Sequence, residues 1–290
     1  MTRRILKKIA ARATANSSAQ RLLERLVSAE QWLMGIGAGG DVSESGEQVL
    51  VRLLREESRK RKRPLQLFDV GANKGQFISL LFGGLEGVPL HIHAFEPSGF
   101  TFNTLVECRG RDNRLTLNNV GLGRCEGVMT LHFDEEGAGT SSLYHRRLDH
   151  FGVRFTRSEK VRIETLDGYC KQKAVTEIDL LKLDVEGHEL EVLRGAEGLF
   201  RDSAIAMVTF EFGGCNIDSR SYLQDFFYFF KESGDFELFR ITPTGYLRRI
   251  EEYGELLEQF RTTNYLARRR TACRTGGEDH GPDGRPTGRG

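Results

Sequence analysis

Two acidic residues on either side of a glycine-rich turn form the first pattern in this chain that could do chemistry. The apolar run at residues 65–68 leads to Asp69, and the turn GANKG follows at residues 71–75. A short apolar run bounded by glycines is typical of a buried strand. Glycines also let the backbone approach a ligand where a side chain would collide. An ordinary strand–turn–helix corner explains the turn equally well when it is taken alone.

The next strand adds a second acid to this pattern. Residues 91–95 are followed by Glu96 and Pro97, and Glu96 lies 27 residues after Asp69. At the end of the second strand of an open α/β sheet, a carboxylate can accept hydrogen bonds from both ribose hydroxyls. The turn has neither the GxGxxG pattern of dinucleotide folds nor the Lys-Ser/Thr of a phosphate loop. We therefore expect a nucleoside cofactor without a pyrophosphate, of which S-adenosylmethionine is an example.

Three further strand ends carry polar residues. Asn119 and Val120 follow the predicted strand at residues 115–117. At such a strand end, a polar side chain can bond to an adenine ring and an apolar one can flank it. An ordinary turn asparagine explains Asn119 equally well. The apolar strand Leu180–Leu183 ends at Asp184, and a helix is predicted at residues 188–200. The strand at residues 205–210 ends at Glu211. Because ligands of open α/β sheets bind beyond the carboxyl ends of the strands, we expect these residues near the glycine turn.

A long insert separates two strands with alternating polarity. Gly127–Phe133 and residues 160–165 alternate in the manner of exposed strands, and residues 134–159 lie between them. The insert is rich in hydroxyls, cations and imidazoles, including Ser141, Ser142, His145 and His150. Since long loops in compact domains often serve as lids or binding loops, we expect this one to reach the site.

Composition excludes several classes of protein. Lys and Arg number 42 against 41 Asp and Glu, so the net charge of +1 favours neither a nucleic-acid nor a membrane partner. The five cysteines are scattered without a CxxC pair, which argues against a zinc cluster and for a reducing compartment. No apolar run approaches the ~20 residues that span a bilayer. The basic N-terminus lacks the apolar core of a secretory signal, so a solvated helix is favoured over membrane contact and a cytoplasmic location is predicted.

The chain divides into three predicted parts. Residues 1–60 form a helical extension that runs into the basic segment 58–64. Residues 61–268 form one α/β domain in which strands and helices alternate, ending with an aromatic helix at residues 225–232 and three short strands at 236–241, 246–250 and 264–267. Residues 269–290, rich in Gly, Arg, Pro and Asp, are predicted to be disordered.

Several motifs in a fixed order resemble the FkbM-type S-adenosylmethionine-dependent methyltransferases over roughly residues 65–267. The resemblance is carried by DVGANKG (69–75), AFEP (94–97), NV (119–120), TLD (165–167), LLKLDVEG (180–187) and EVLRGA (191–196). One small departure is Gly121, where the family often has alanine after Asn-Val.

The resemblance implies a fold and an activity. The fold would be the Rossmann-like, doubly wound class I methyltransferase sheet, with seven mostly parallel strands of which the last is antiparallel. The activity would be O-methylation of a hydroxyl on a sugar, a glycan or a secondary metabolite. Two alternatives stay open: an N-methyltransferase or protein-directed methyltransferase on the same fold, and a non-catalytic module that binds the cofactor.

The resemblance also implies residue roles for the cofactor. Asp69 and the turn 71–75 would hold its methionine portion, Glu96 the ribose, and Asn119 with Val120 the adenine. Ser141 or Ser142 would reach its carboxylate. The complete predicted set is Asp69, Gly71, Ala72, Asn73, Gly75, Glu96, Pro97, Asn119, Val120, Ser141, Ser142 and Asp184.

Activation of the acceptor hydroxyl needs a general base or a divalent cation, because the pKa of a hydroxyl lies far above neutrality. The candidates for catalysis are Asp184, Glu186, His188 and Glu211. Three of these acids, Asp184, Glu186 and Glu211, could together hold a divalent cation. Glu186 could instead cap the following helix, and His188 could be an ordinary helix-start histidine. His145 and His150 are rival bases or contacts to the acceptor.

Overall fold

The structure, a computed structural model, describes residues 3–40 and 44–270. The predicted disordered tail lies outside the described residues from position 271 onwards. Its first residue, Arg269, is the last residue of a strand.

Helices and strands alternate through the middle of the chain. The helices are α1 (Arg3–Ala13), α2 (Ser17–Leu33), α3 (Gln48–Lys60), α4 (Gln76–Gly84), α5 (Gly99–Arg109), α6 (Leu166–Lys173), α7 (Glu189–Arg194), α8 (Glu197–Arg201), α9 (Cys215–Ser219) and α10 (Leu223–Glu232). The strands are β1 (Leu65–Val70), β2 (Leu90–Phe95), β3 (Leu115–Asn118), β4 (Gly121–Leu122), β5 (Gly127–Phe133), β6 (Arg157–Glu164), β7 (Leu180–Leu183), β8 (Met207–Phe212), β9 (Phe236–Ile241), β10 (Leu247–Ile250) and β11 (Thr263–Arg269).

Eight strands form the main sheet in the order β10-β9-β11-β8-β7-β1-β2-β3. Neighbouring strands are parallel along the series β3, β2, β1, β7 and β8. Strand β11 is antiparallel to both β8 and β9. The expected mostly parallel sheet with an antiparallel last strand is confirmed, and β10 extends it by an edge hairpin with β9.

Apolar residues cover both faces of this sheet, as a doubly wound fold requires. Helices α3, α4 and α5 pack on one face through residues such as Leu50, Ile78 and Leu105. Helices α6, α7, α8 and α10 pack on the other, where the stacked rings of Phe210 and Phe226 lie 4.7 Å apart. The aromatic residues of α10 are therefore core residues, and the parallel strands that carry the acids are held rigidly from both sides.

The predicted helix 188–200 is wrong as a single element, because it breaks at Gly195 and Ala196 into α7 and α8. A side chain at position 195 would collide with the carbonyl oxygen of Gly123, 2.0 Å from the expected Cβ position. The carboxylate of Asp167 accepts hydrogen bonds from the backbone N–H groups of Gly198 and Leu199, which starts α8 as a separate helix.

The N-terminal extension consists of two helices before α3. The side chain of Asn16 accepts a hydrogen bond from the backbone N–H of Ala19 and so begins α2. Neither α1 nor α2 has a buried residue. The apolar residues of α1 and α2 are therefore exposed instead of packed on the domain.

Candidate active site

The glycine turn after β1 brings two strand ends together. Gly71 has a positive φ of 83°, and a Cβ there would lie 1.8 Å from the carbonyl oxygen of Asp184. Only glycine allows this approach. The end of β7 therefore packs directly on the turn. Gly75, also at positive φ, begins α4 and lines neither of the cavities described below.

Asp69 is fully buried at the end of β1. Neither of its carboxylate oxygens has a hydrogen-bond partner among the described residues. The Nζ of Lys182 lies 3.8 Å from Oδ1. Burial raises the pKa of Asp69 to about 6, although the charge of Lys182 opposes this shift. Since unpaired buried carboxylates are costly, this group is suited to a cationic ligand group.

Glu96 is held in place by the backbone. One oxygen accepts a hydrogen bond from the N–H of Asn73 at 3.0 Å, and the other accepts one from the N–H of Ser98 at 2.9 Å. Burial raises the pKa of Glu96 to about 7, and these two donors counteract part of that shift. Each oxygen keeps a further lone pair, so the group is preorganised to accept two more hydrogen bonds.

Asn119 and Val120, predicted to border the adenine, line neither of the two cavities described below. The side-chain amide of Asn119 donates hydrogen bonds to the backbone carbonyls of Glu96 and Pro97, at 2.9 and 3.1 Å. Val120 belongs to the apolar core. The cavity next to Glu96 is lined instead by the following residues, Gly121 and Leu122. Asn119 therefore holds the segment that carries Glu96.

Asp184 extends from the end of β7 with its side chain 40% exposed. Its Oδ2 accepts a hydrogen bond from the Nζ of Lys182 at 3.0 Å. Lys182 is itself buried, and the carboxylates of Asp184, Asp69 and Glu47 raise its pKa even though burial lowers it. A protonated lysine thus lies between two acids and keeps Asp184 oriented.

Glu186 pairs with a residue of the insert. Its carboxylate contacts the guanidinium of Arg146, whose Nε lies 3.6 Å from a carboxylate oxygen of Asp218. Burial raises the pKa of Glu186 to about 8, against the opposing charge of Arg146. Glu186 does not cap the following helix, whose N-terminus has no side-chain cap. Glu189, the first residue of α7, accepts hydrogen bonds from the N–H groups of Val185 and Gly187 in the preceding turn.

His188 is buried beside Tyr144. The Nδ1 of His188 lies 3.0 Å from the Tyr144 hydroxyl. Burial lowers the pKa of His188 to about 4, so the imidazole is neutral near pH 7. It faces the same cavity as Glu96, on the cofactor side of the β7 end.

Glu211 comes from the end of β8. Its side chain makes no hydrogen bond or ion pair with any residue that the structure describes. Burial raises its pKa well above the usual value, and the nearby acids Asp184 and Glu186 add to this. Burial and these acids therefore favour the protonated form of Glu211.

The predicted cation site of Asp184, Glu186 and Glu211 is not assembled. Within residues 3–40 and 44–270, no group of three or more potential ligand side chains could hold a metal ion. The reason lies in the partners of these acids: Asp184 bonds to Lys182, and Glu186 pairs with Arg146.

Two cavities meet at the end of β7. The narrower is bounded by Glu96, Pro97 and His188. The wider encloses about 1190 Å³ and is bounded by Asp69, Ala72, Lys182, Glu211 and Asn264, among others. Residues that line both are Gly71, Asn73, Gly139, Asp184 and Glu186. Asp184 thus lies where the narrower and the wider cavity meet.

The insert forms the outer wall of both cavities, as expected of a binding loop. Ser141 lines the narrower cavity. Ser142 is buried and donates a hydrogen bond to the backbone carbonyl of Glu186, so it anchors the insert. His150 lies on the wider cavity, whereas His145 packs against His132 and Phe155 and lines neither cavity.

Sequence reasoning missed four residues of this site: Lys182, Arg146, Tyr144 and Glu47. The signal for Lys182 was present, since a lysine inside an apolar strand must have a charged partner. No such sequence signal marks Arg146, Tyr144 and Glu47, because the first two reach the site from the insert and Glu47 from the start of α3.

The strand order, the acids at the ends of β1 and β2 and the glycine turn between them define a class I methyltransferase fold. The chain also matches the FkbM methyltransferase domain over residues 69–238, more than half of its length. It therefore belongs to the FkbM methyltransferase domain family.

One curated relative is the hexuronic acid methyltransferase AglP of Haloferax volcanii. It is 28% identical over 153 residues, which cover 52% of this chain and 56% of that protein. The chain thus matches about half of the relative's length.

Two solved structures are similar in outline. Methyltransferase FkbM from Methylobacillus flagellatus shows 17% identity and a TM-score of 0.44, over 83% of this chain and 59% of that one. A SAM-dependent methyltransferase from Agrobacterium tumefaciens shows 8% identity and a TM-score of 0.39, over 77% of this chain and 62% of that one.

Proposed function

We propose that this protein transfers a methyl group from S-adenosylmethionine to a hydroxyl oxygen of a sugar or sugar acid. The observation that carries the proposal is the junction of two unlike cavities at Asp184. One cavity offers a carboxylate with free lone pairs for two ribose hydroxyls. The other is much larger, and its lining includes charged side chains such as Lys182, Glu211 and Arg261, which can hydrogen-bond to an acceptor with many hydroxyls.

The residues present fit the cofactor. S-adenosylmethionine supplies an electrophilic methyl group on a positively charged sulfur. Glu96 would accept hydrogen bonds from the ribose hydroxyls, and Asp69 would face the amino group with its unpaired oxygens. Asn73 has a buried Oδ1 without a partner among the described residues, which can accept a further hydrogen bond. Ser141 and His188 would bound the same ligand.

Asp184 would accept the proton of the acceptor hydroxyl. It lies on both cavities and is the most exposed of the acids at these strand ends, with Lys182 fixing one of its oxygens. Glu211 lines the wider cavity but not the narrower one, so it is less well placed for proton transfer where the two cavities meet. The neutral imidazole of His188 lies on the cofactor side and so would contact the cofactor instead.

The relative from Haloferax volcanii supports the acceptor class, since its name states that it methylates a hexuronic acid. A sugar acid offers two kinds of oxygen. Its carboxylate is already a nucleophile, whereas its hydroxyls need a base. The base-like position of Asp184 favours a hydroxyl.

The test is transfer of a labelled methyl group from S-adenosylmethionine to a panel of neutral sugars and hexuronic acids. Mild alkali distinguishes the products, because it releases methanol from a methyl ester and leaves a methyl ether intact. We expect alkali-stable label that is lost in Asp184→Asn and kept in Glu86→Ala, which changes an exposed acid on the turn before β2. Alkali-labile label would move the reaction to the carboxylate. Absence of transfer to every sugar would remove the proposed acceptor class.

A further inference from the structure

Helix α1 separates its apolar and basic residues onto two sides. At 3.6 residues per turn, Ile5, Leu6, Ile9, Ala10 and Ala13 fall within roughly 140° of its circumference. The remaining side carries five cations, Arg3, Arg4, Lys7, Lys8 and Arg12, and α1 contains no acidic residue. The large apolar side chains Ile5, Leu6 and Ile9 are all about half exposed.

Helix α2 continues the exposed apolar surface. Leu22, Leu23, Leu26, Val27 and Leu33 lie within a similar sector, in which Glu30 is the one acidic residue, and Leu33 is 69% exposed. Glu24 and Glu30 make α2 less basic than α1. Among the described residues, none packs on α1 or α2 closely enough to bury a residue of either helix. A folded chain gains nothing from exposing such a surface to water, which indicates an external partner.

We propose that α1 and α2 bind the surface of an anionic lipid bilayer, with their apolar sides in the headgroup region. A short helix with a cationic side opposite an aliphatic one is suited to this position, since the cations meet lipid phosphates while the apolar residues leave water. Among the described residues, no helix combines the length and apolarity needed to cross a bilayer. The helices therefore lie on the membrane.

The attachment of α2 places this surface next to the wider cavity. The side chain of Gln31 donates a hydrogen bond to Gln259 at 2.7 Å and accepts one from Arg261 at 2.6 Å. Arg261 lines the wider cavity, as do the strongly exposed Phe151 and Ile217. The bound lipid surface would thus lie beside the opening through which an acceptor enters.

The experiment uses the full chain and vesicles of phosphatidylcholine with or without phosphatidylglycerol. Trp32 is the single tryptophan of the chain, but it lies on the side of α2 away from the apolar sector. Leu26→Trp in a Trp32→Phe background places the only indole within that sector, so its emission reports contact directly. We expect co-sedimentation of the original protein with the mixed vesicles, a blue shift of the emission of this reporter variant, and weakening of both by salt. Vesicles of phosphatidylcholine alone should bind far less.

Two double variants distinguish binding through α1 from a general effect of the protein's net charge. Each basic residue near an anionic surface strengthens partition by a factor of about five, so Lys7→Glu with Lys8→Glu should weaken it about 25-fold or more. The control Arg111→Glu with Arg124→Glu makes the same charge change at two exposed positions of the domain and should bind like the original protein. Replacing Ile5 and Ile9 by serine should also weaken binding.

Three outcomes would overturn the proposal: no binding to mixed vesicles, equal binding to neutral vesicles, or equal losses in the control variant. Light scattering that shows a dimer, with a shifted emission of the reporter variant in the absence of vesicles, would assign the surface to a second copy of the chain. Methyl transfer to a water-soluble sugar should be unchanged in the Lys7 and Lys8 variant, so this test is independent of the proposed function.

Discussion

Replacing Glu96 by alanine tests the cofactor site most directly. Its two oxygens are oriented by the N–H groups of Asn73 and Ser98, and each keeps a lone pair for one ribose hydroxyl. A hydrogen bond to a charged group contributes a net 1.5 kcal/mol or more, so losing two should cost about 3 kcal/mol. Affinity for S-adenosylmethionine should therefore fall about 100-fold at pH 8.

The pH dependence gives a second signature of Glu96. Because burial raises its pKa to about 7, the carboxylate is mostly ionised at pH 8 and mostly protonated at pH 6. Protonation turns one acceptor oxygen into a donor, so affinity should fall about tenfold between pH 8 and pH 6. Asp69, with a pKa of about 6, adds to this fall only at the acidic end. In Glu96→Ala, the affinity for S-adenosylmethionine should depend on pH only through Asp69.

Isothermal titration calorimetry at pH 6, 7 and 8 measures both effects. Glu96→Gln keeps the size and one acceptor oxygen, so it should lose the pH dependence with a smaller loss of affinity. Melting temperatures of both variants show whether the turn at Asn73 survives. Glu86→Ala, in the exposed turn before β2, is the matched control. Unchanged affinity, or an unchanged pH profile in a folded variant, would refute the ribose role of Glu96.

Three other substitutions test the rest of the site. Lys182→Met leaves Asp69 and Asp184 without their buried cation, so unfolding in urea at pH 8 should show a loss of about 3–5 kcal/mol. Because burial raises the pKa of Asp69 to about 6 against the opposing charge of Lys182, removal of Lys182 raises that pKa further, so the loss should shrink as the pH falls from 8 towards 6; a loss independent of pH would contradict the pairing. Asp184→Asn should lower kcat at least about 100-fold while cofactor binding stays within threefold, and a normal rate would remove Asp184 as the base. His188→Gln should weaken cofactor binding about three- to tenfold at unchanged saturated kcat; a 100-fold fall in kcat with normal binding would make His188 the base instead.

Local patterns were enough to predict most of the fold. The apolar runs at β1, β2, β7 and β8 are short, bounded by turn residues and separated by helices, and such a pattern permits few arrangements other than a parallel sheet. The family motifs added the antiparallel last strand, which the structure confirms. The failure at residues 188–200 has a non-local cause, since Gly195 meets Gly123 from a distant turn.

The sequence by itself determined which acids would lie together. Asp69 and Glu211 are the penultimate residues of β1 and β8, and Glu96 and Asp184 directly follow β2 and β7. The carboxyl ends of parallel strands share one edge of the sheet. Each acid's position along the chain was therefore sufficient to place it at the site.

The tertiary structure alone decided what each acid can do. Protonation depends on burial and on neighbouring charges, and both come from segments far apart in the chain. Lys182 keeps Asp184 oriented, Arg146 of the insert pairs with Glu186, and burial among other acids raises the pKa of Glu211. These contacts distinguish the proposed base from the other carboxylates, and residue spacing in the sequence does not predict them.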